Sequence, residues 1–156
     1  MNALANESNV QSSLKKYFVD AFGTNVTFDV SLAAPDIRKQ GAGAITQWYN
    51  VSFGQFGREA LSDYTFEIFC LSRQDAEGIK LATMSDALMN ILVDSSKSDG
   101  ARRIPFYDAS STPWELIGAM MVQEINDQAP YTIAGLNEDE TKMKIFSVRL
   151  RWGTAI

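Results

Sequence analysis

Histidine is absent from the 156 residues. That absence removes the commonest general base, the triads and dyads that depend on one, and most transition-metal sites. A single cysteine, Cys70, allows no internal disulfide, and its place in an alternating apolar run marks it as a small core residue. No apolar run reaches the ~18 residues that a membrane helix requires. Met1 to Asn9 has neither the cationic nor the apolar region of a signal peptide. A cytoplasmic protein without membrane contact is therefore the expectation. Positive charge is also scarce, with 14 lysines and arginines against 19 acids and a net charge of −5. Nucleic-acid affinity rests on cations that neutralise phosphates, so tight general binding by the whole surface is excluded.

What is present is an ordinary globular composition, 46% hydrophobic and 21% charged, in a length that suits one domain with a real core. The reading is a disordered start over residues 1–8 and a single α+β domain over 9–156. The stretch that organises it runs from Tyr64 to Val93. Tyr64, Phe66, Ile68 and Cys70 alternate with Thr65 and Glu67, the period of a half-buried strand, and Phe69 and Leu71 make its far end apolar on both faces, as in a central strand. Asp75 is a good N-cap for a long helix over Ala76–Val93, with Leu81, Met84, Leu88, Ile91 and Leu92 on one side.

Around this unit the chain reads as follows. Val10, Leu14, Tyr17, Phe18 and Ala21 share a helical face, with Ser8 or Asn9 as cap and Gly23 as stop. Val26 to Val30 is a short strand, and Ala33 to Gly43 a glycine- and proline-bearing loop. Ile45, Tyr49, Val51 and Phe53 alternate with Thr46, Trp48, Asn50 and Ser52, and Gly54 to Ser62 reads as a hairpin tip. Ser95 to Arg103 is polar. Ile104 to Asp108 carries a proline and belongs at a sheet edge. Ile117 to Ile125 reads as a strand despite Gly118, Tyr131 to Ile133 as a short one, and Lys142 to Trp152 as the last. The fold class is thus α+β: a mostly antiparallel sheet with one long helix packed on one face and an N-terminal helix.

Motifs with catalytic precedent are incomplete. Ser12-Ser-Leu-Lys15 has the serine–lysine spacing of penicillin-binding enzymes, but the companion Ser-Asp-Asn and Lys-Thr-Gly motifs are missing. Gly41-Ala-Gly43 lacks the third glycine of a dinucleotide loop, and Gly54-Gln-Phe-Gly57 joins two strands where an RNA-binding glycine loop joins two helices. Asp94 to Gly100 has Asp99 where a calcium loop needs glycine, and Glu138-Asp-Glu140 is a solvated turn in most proteins. No catalytic, cofactor or metal residue is assigned. Lys142, Lys144, Arg149 and Arg151 form one basic cluster. It is either the charged face of an edge strand that resists aggregation or a strip that meets an acidic partner. Trp48, an aromatic on an otherwise polar face, is a candidate interface residue.

The order of elements from residue 10 to residue 152 is helix, loop, hairpin, long helix, and further strands ending at Ser147-Val-Arg-Leu-Arg-Trp152. That order and size resemble the tail terminator (tail completion) proteins of long-tailed bacteriophages. The resemblance implies a non-enzymatic subunit without cofactor that assembles as a homohexameric ring. Such a ring caps the tail tube protein and faces the head-side connector or neck protein, with duplex DNA passing through it without specific binding. It implies a virion protein of the tail and neck, assembled in the host cytoplasm. An acidic subunit suits such a channel, since a lumen that attracted phosphate would retard DNA. The polar loops then supply docking residues, Gln55, Phe56 and Arg58 from one and Arg102 and Arg103 from another, alongside Trp48, Arg149 and Arg151. Head-closure and neck proteins share this size and lack of enzymatic residues. A cytoplasmic adaptor and a small enzyme working through carboxylates alone are the readings from other classes.

Overall fold

The computed structural model describes residues 6–29, 47–57, 61–73, 75, 77–98, 100–133 and 141–153. The first helix, α1 (Glu7–Phe22), starts at Asn6, whose side-chain oxygen accepts the N–H of Asn9 at 2.9 Å. That cap lies upstream of the expected Ser8 or Asn9, so Glu7 and Ser8 belong to the first helical turn and not to a disordered start. The helix stops at Gly23, whose φ of 62° puts it in the region that favours glycine and whose N–H returns to Val19. A short 3₁₀ turn (Gly23–Asn25) leads into β1 (Val26–Phe28).

The remaining elements are β2 (Gln47–Gly57), β3 (Leu61–Arg73), α2 (Ile79–Leu92), β4 (Arg103–Asp108), β5 (Glu115–Asp127), β6 (Tyr131–Ile133) and β7 (Thr141–Gly153). The fold is α+β, with two helices of comparable length, 16 and 14 residues, in place of one long helix and a minor one. The sheet is mixed. Its strands run in the order β1-β2-β3-β7-β5-β4, with β6 also on β7; β1–β2 is parallel and the other pairs are antiparallel. β7 lies between β3 and β5, which overturns its reading as an edge strand. An antiparallel strand with one wet face alternates in the same way wherever it sits in the sheet. β4 is the edge, as its proline requires.

One face of the sheet and both helices enclose the core. Tyr49 and Val51 from β2, Tyr64, Phe66, Ile68 and Cys70 from β3, and Phe146, Val148 and Leu150 from β7 meet Val10, Leu14 and Phe18 of α1. Leu81, Met84, Leu88 and Leu92 of α2 join the same cluster. The Tyr49 hydroxyl donates to the Met84 carbonyl at 3.0 Å, which ties α2 to β2. Asp75 caps α2 from outside the helix. Gly78 holds the N-cap position with φ of 75°, and the Asp75 carboxylate accepts the N–H groups of Lys80 and Leu81 and the Ser72 hydroxyl, all within 3.0 Å. Helical structure thus begins three residues later than the sequence pattern suggests.

α1 fastens the free edge of β4. The Ser13 hydroxyl accepts the N–H of Tyr107 at 2.9 Å and lies 3.5 Å from its carbonyl, while Asn9 Oδ1 accepts the N–H of Ala109 at 3.0 Å. Side chains of a helix therefore take the place of a neighbouring strand, and an edge that would otherwise pair with another chain is covered.

Candidate interface on the outward face of the sheet

The outward face follows from register. Residues that do not point into the core alternate along each strand, and cross-strand pairing sets them in rows. Arg103 of β4 is opposite Met121 of β5, Met121 is opposite Arg151 of β7, and Arg151 is opposite Asp63 of β3. Arg149, two residues from Arg151 on the same strand, is opposite Glu124 and Thr65. Three of the arginines singled out in the sequence thus lie on one face, within about 10 Å across the strands. All three are exposed. Arg149 approaches Glu124 at 3.7 Å, and among the described residues no ion pair involves Arg103 or Arg151.

Farther along β4 and β5 the same face carries exposed apolar surface. Tyr107 is opposite Leu116 after a bulge, Pro105 is opposite Ala119, and Trp114 stacks at a tilt on Tyr107 with ring centroids 6.2 Å apart. Leu116 is 62% exposed and Trp114 42%. Arginine, methionine, tyrosine and tryptophan are the residues that interfaces concentrate. Sequence reasoning missed Trp114, Leu116 and Met121. Their signal was present in the apolar content of a strand beside an edge, but which side each residue took depended on two bulges in β5.

The other expected interface residues are placed differently. Trp48 is 4% exposed and packs with Leu71 and Met143, with Phe69 and Ile145 against them, in a small cluster on the face opposite the main core. The strand-by-strand pattern around Trp48 is polar, but β3 and β7 bring apolar residues to the same side, so Trp48 is buried and is not an exposed docking residue. Gln55 and Phe56 belong to β2 and not to a hairpin tip, because the strand continues past a bulge between Phe53 and Phe56. Phe56 packs on the core, 6.2 Å from the Tyr64 ring; Gln55 stays exposed, and its N–H donates to Thr65 Oγ1. Arg58 lies outside the described residues, as do Ala33 to Gly43 and Glu138 to Glu140. Arg102 is occupied: its Nη2 donates to the carbonyls of Asn90 and Val93 at 2.8 and 2.9 Å, closing the C-terminal end of α2.

Among the described residues, the serine–lysine pair and the Asp94 loop singled out in the sequence are placed as follows. Lys15 lies over the rings of Phe28 and Phe53, at 6.0 and 5.7 Å, and makes no hydrogen bond with Ser12. Asp94 is committed to Ser96, accepting from its hydroxyl at 2.6 Å and its N–H at 3.0 Å, and these bonds hold its carboxyl below the usual range. Among the described residues no group of three or more cysteines, aspartates or glutamates is placed to hold a metal ion, and no helix is long and apolar enough to cross a membrane. A groove of about 340 Å³ lies between the start of α2 and β7, bordered by Gly78, Leu81, Ser85 and Lys144. The Lys144 ammonium is 3.1 Å from Asp127 and lies over the Phe146 ring, so its charge is already matched. Burial pushes the Cys70 thiol up to about 12, which keeps it unreactive.

No family model matches the chain, and no curated protein does. A solved structure is similar to it with a TM-score of 0.53 and 9% sequence identity, over 95% of this chain and 97% of that one. At that identity the likeness concerns the fold, and its span means that the whole arrangement recurs as one unit.

Proposed function

We propose that the chain is a ring-forming structural subunit of the phage tail terminator type, without enzymatic activity or cofactor. Its ring caps the tail tube and joins it to the head-side connector, with duplex DNA passing through unread. The observation that carries this reading is the outward face of β4, β5 and β7, where exposed Arg103, Arg149 and Arg151 share the face with exposed Leu116. A surface of that composition suits lasting contact with protein more than contact with solvent. The order of elements supports the reading. The free chain remains a monomer when dilute, because the ordering cost of docking is met only on the tube.

Electron microscopy of the protein mixed with tail tubes tests this. The expected image is a closed sixfold ring at the tube end, with unlike surfaces of neighbours in contact and an open channel. A twofold dimer with like surfaces paired would favour the adaptor reading. A ring bound to the head-side connector but never to tubes would favour a head-closure or neck protein.

A further inference from the structure

β5 is 13 residues long but is paired along only part of each side. β4 takes one side from Glu115 to Met121, and β7 takes the other from Met121 to Asp127. β7 runs on to Gly153 along β3, yet its pairing with β5 stops at Arg151. Among the described residues no strand pairs with residues 116–119 on that second side. Register fixes which backbone groups line it. Tyr107, opposite Leu116, sends its N–H to Ser13, and Pro105, opposite Ala119, has none to give. Both are non-hydrogen-bonded pairs, so the N–H and C=O groups of Leu116 and Ala119 turn away from β4. Both residues are exposed, and Ile117 between them is half-buried against the core. The other edges are guarded. β1 and β6 have three residues each, and Pro105 and α1 cover β4. A bulge and the Asp29 carboxylate, which accepts the Phe53 N–H at 2.9 Å, close β2. Glu124 and Asp127 put charge along the second half of β5. Residues 116–122 have neither charge nor proline.

We propose that this edge receives an extended segment of a different protein, which adds a strand beside β5 in the space past the end of β7. Only an extended chain presents donors and acceptors at the spacing of a strand, so the main chain of Leu116 and Ala119 selects the shape of the partner. Its side chains alternate between the two faces of the sheet. One set meets Ile117 on the core side and the other meets Leu116 on the outward side, so the segment is apolar at successive positions. A second copy is a poor occupant. Pairing β5 with β5 antiparallel would drive the turn over residues 109–114 of each copy into the end of β7 of the other. The inference goes beyond the ring reading and does not depend on it.

Titration of the isotope-labelled full chain with a blocked peptide tests it, followed by amide resonances and hydrogen exchange. The peptide alternates valine and threonine between terminal lysines. The Leu116 and Ala119 amides should shift, and their exchange should slow by about tenfold or more at saturation. Ala119→Pro removes an N–H that β4 does not use and should abolish the response. Leu116→Lys, at an exposed position, should weaken it by about threefold or more. Both variants should keep the melting temperature of the unmodified chain to within about 3 °C. If Ala119→Pro fails to fold, Leu116→Lys decides. Amides of residues 116–119 that stay unmoved at about 2 mM peptide, near the weak limit for such short segments, would overturn the proposal. So would a response that survives in the folded variants. Shifts of the same amides with protein concentration alone, without peptide, would give the edge to a second copy and overturn it too.

Discussion

Leu88 has no exposed surface and lies midway along α2 among core residues of the sheet and both helices. Leu88→Ala is expected to cost about 2–5 kcal/mol, the transfer loss plus a cavity, measurable by urea unfolding. Asp75 acts through hydrogen bonds. Burial opposes its ionisation, but the N–H groups of Leu81 and Lys80, the Ser72 hydroxyl and the charge of Lys142 outweigh that and lower its pKa. A carboxyl with a lowered folded pKa contributes stability above its unfolded value, and that stability is lost as pH falls through the folded one. Asp75→Asn should therefore destabilise by about 1 kcal/mol at neutral pH. The difference from the unmodified chain should shrink on acidification below about pH 4; a difference constant down to pH 2 would contradict the role. Asp75 was legible as a cap from its residue type. That it reaches Lys80 and Leu81 across Gly78 was not, because a left-handed glycine leaves no mark in apolar spacing.

At the scale of elements, the joint between α1 and β4 is the most exposed to test. Ser13→Ala leaves the part-buried Tyr107 N–H without its acceptor and should cost about 0.5–1.5 kcal/mol. Hydrogen exchange at the Tyr107 amide should quicken by more than exchange in β3. The bulge in β2 gives a second test. A Cβ on Gly54 would stand 2.3 Å from the Thr65 carbonyl oxygen, so Gly54→Ala should cost about 1–3 kcal/mol, read in thermal unfolding. That same bulge explains why the sequence pattern ends the strand too soon: Gly54 and Gly57 look like a turn, yet Phe56 returns to the core beyond the irregularity. β3 was legible because both of its faces are apolar where a central strand requires it. β7 was not, since Ser147, Arg149 and Arg151 alternate with core residues just as they would on an edge. Its neighbours β3 and β5 are set by pairing between distant parts of the chain, which local periodicity does not encode.

For the whole molecule, the absence of histidine predicts a flat stability between about pH 6 and 8, since no side chain with an ordinary pKa titrates there. The alkaline side is different. Burial raises Cys70 from 9.0 to about 12, and Tyr64 from 10.0 to about 12. In the unfolded chain these groups lose protons first, so stability should fall as pH rises above about 9. Melting temperatures across pH 5 to 11 check both limbs, and a steep change between pH 6 and 8 would contradict the first. The candidate interface was only partly legible at this scale. Arg103, Arg149 and Arg151 were identified one by one, but their meeting depends on β5 lying between β4 and β7.

The seal that Ser13 makes with Tyr107 joins residues 94 positions apart. On a ribosome adding roughly 5–20 residues per second, about 5–20 s separate the synthesis of the two. α1 thus emerges well before β4, yet it waits for the strand whose edge it fastens. Val10, Leu14 and Phe18 spend that interval without Ile104 and Phe106 of β4, which belong to the same core cluster. A nascent chain halted before residue 103 should therefore be a better client for chaperones than one halted past residue 127, where β4 and β5 are both complete.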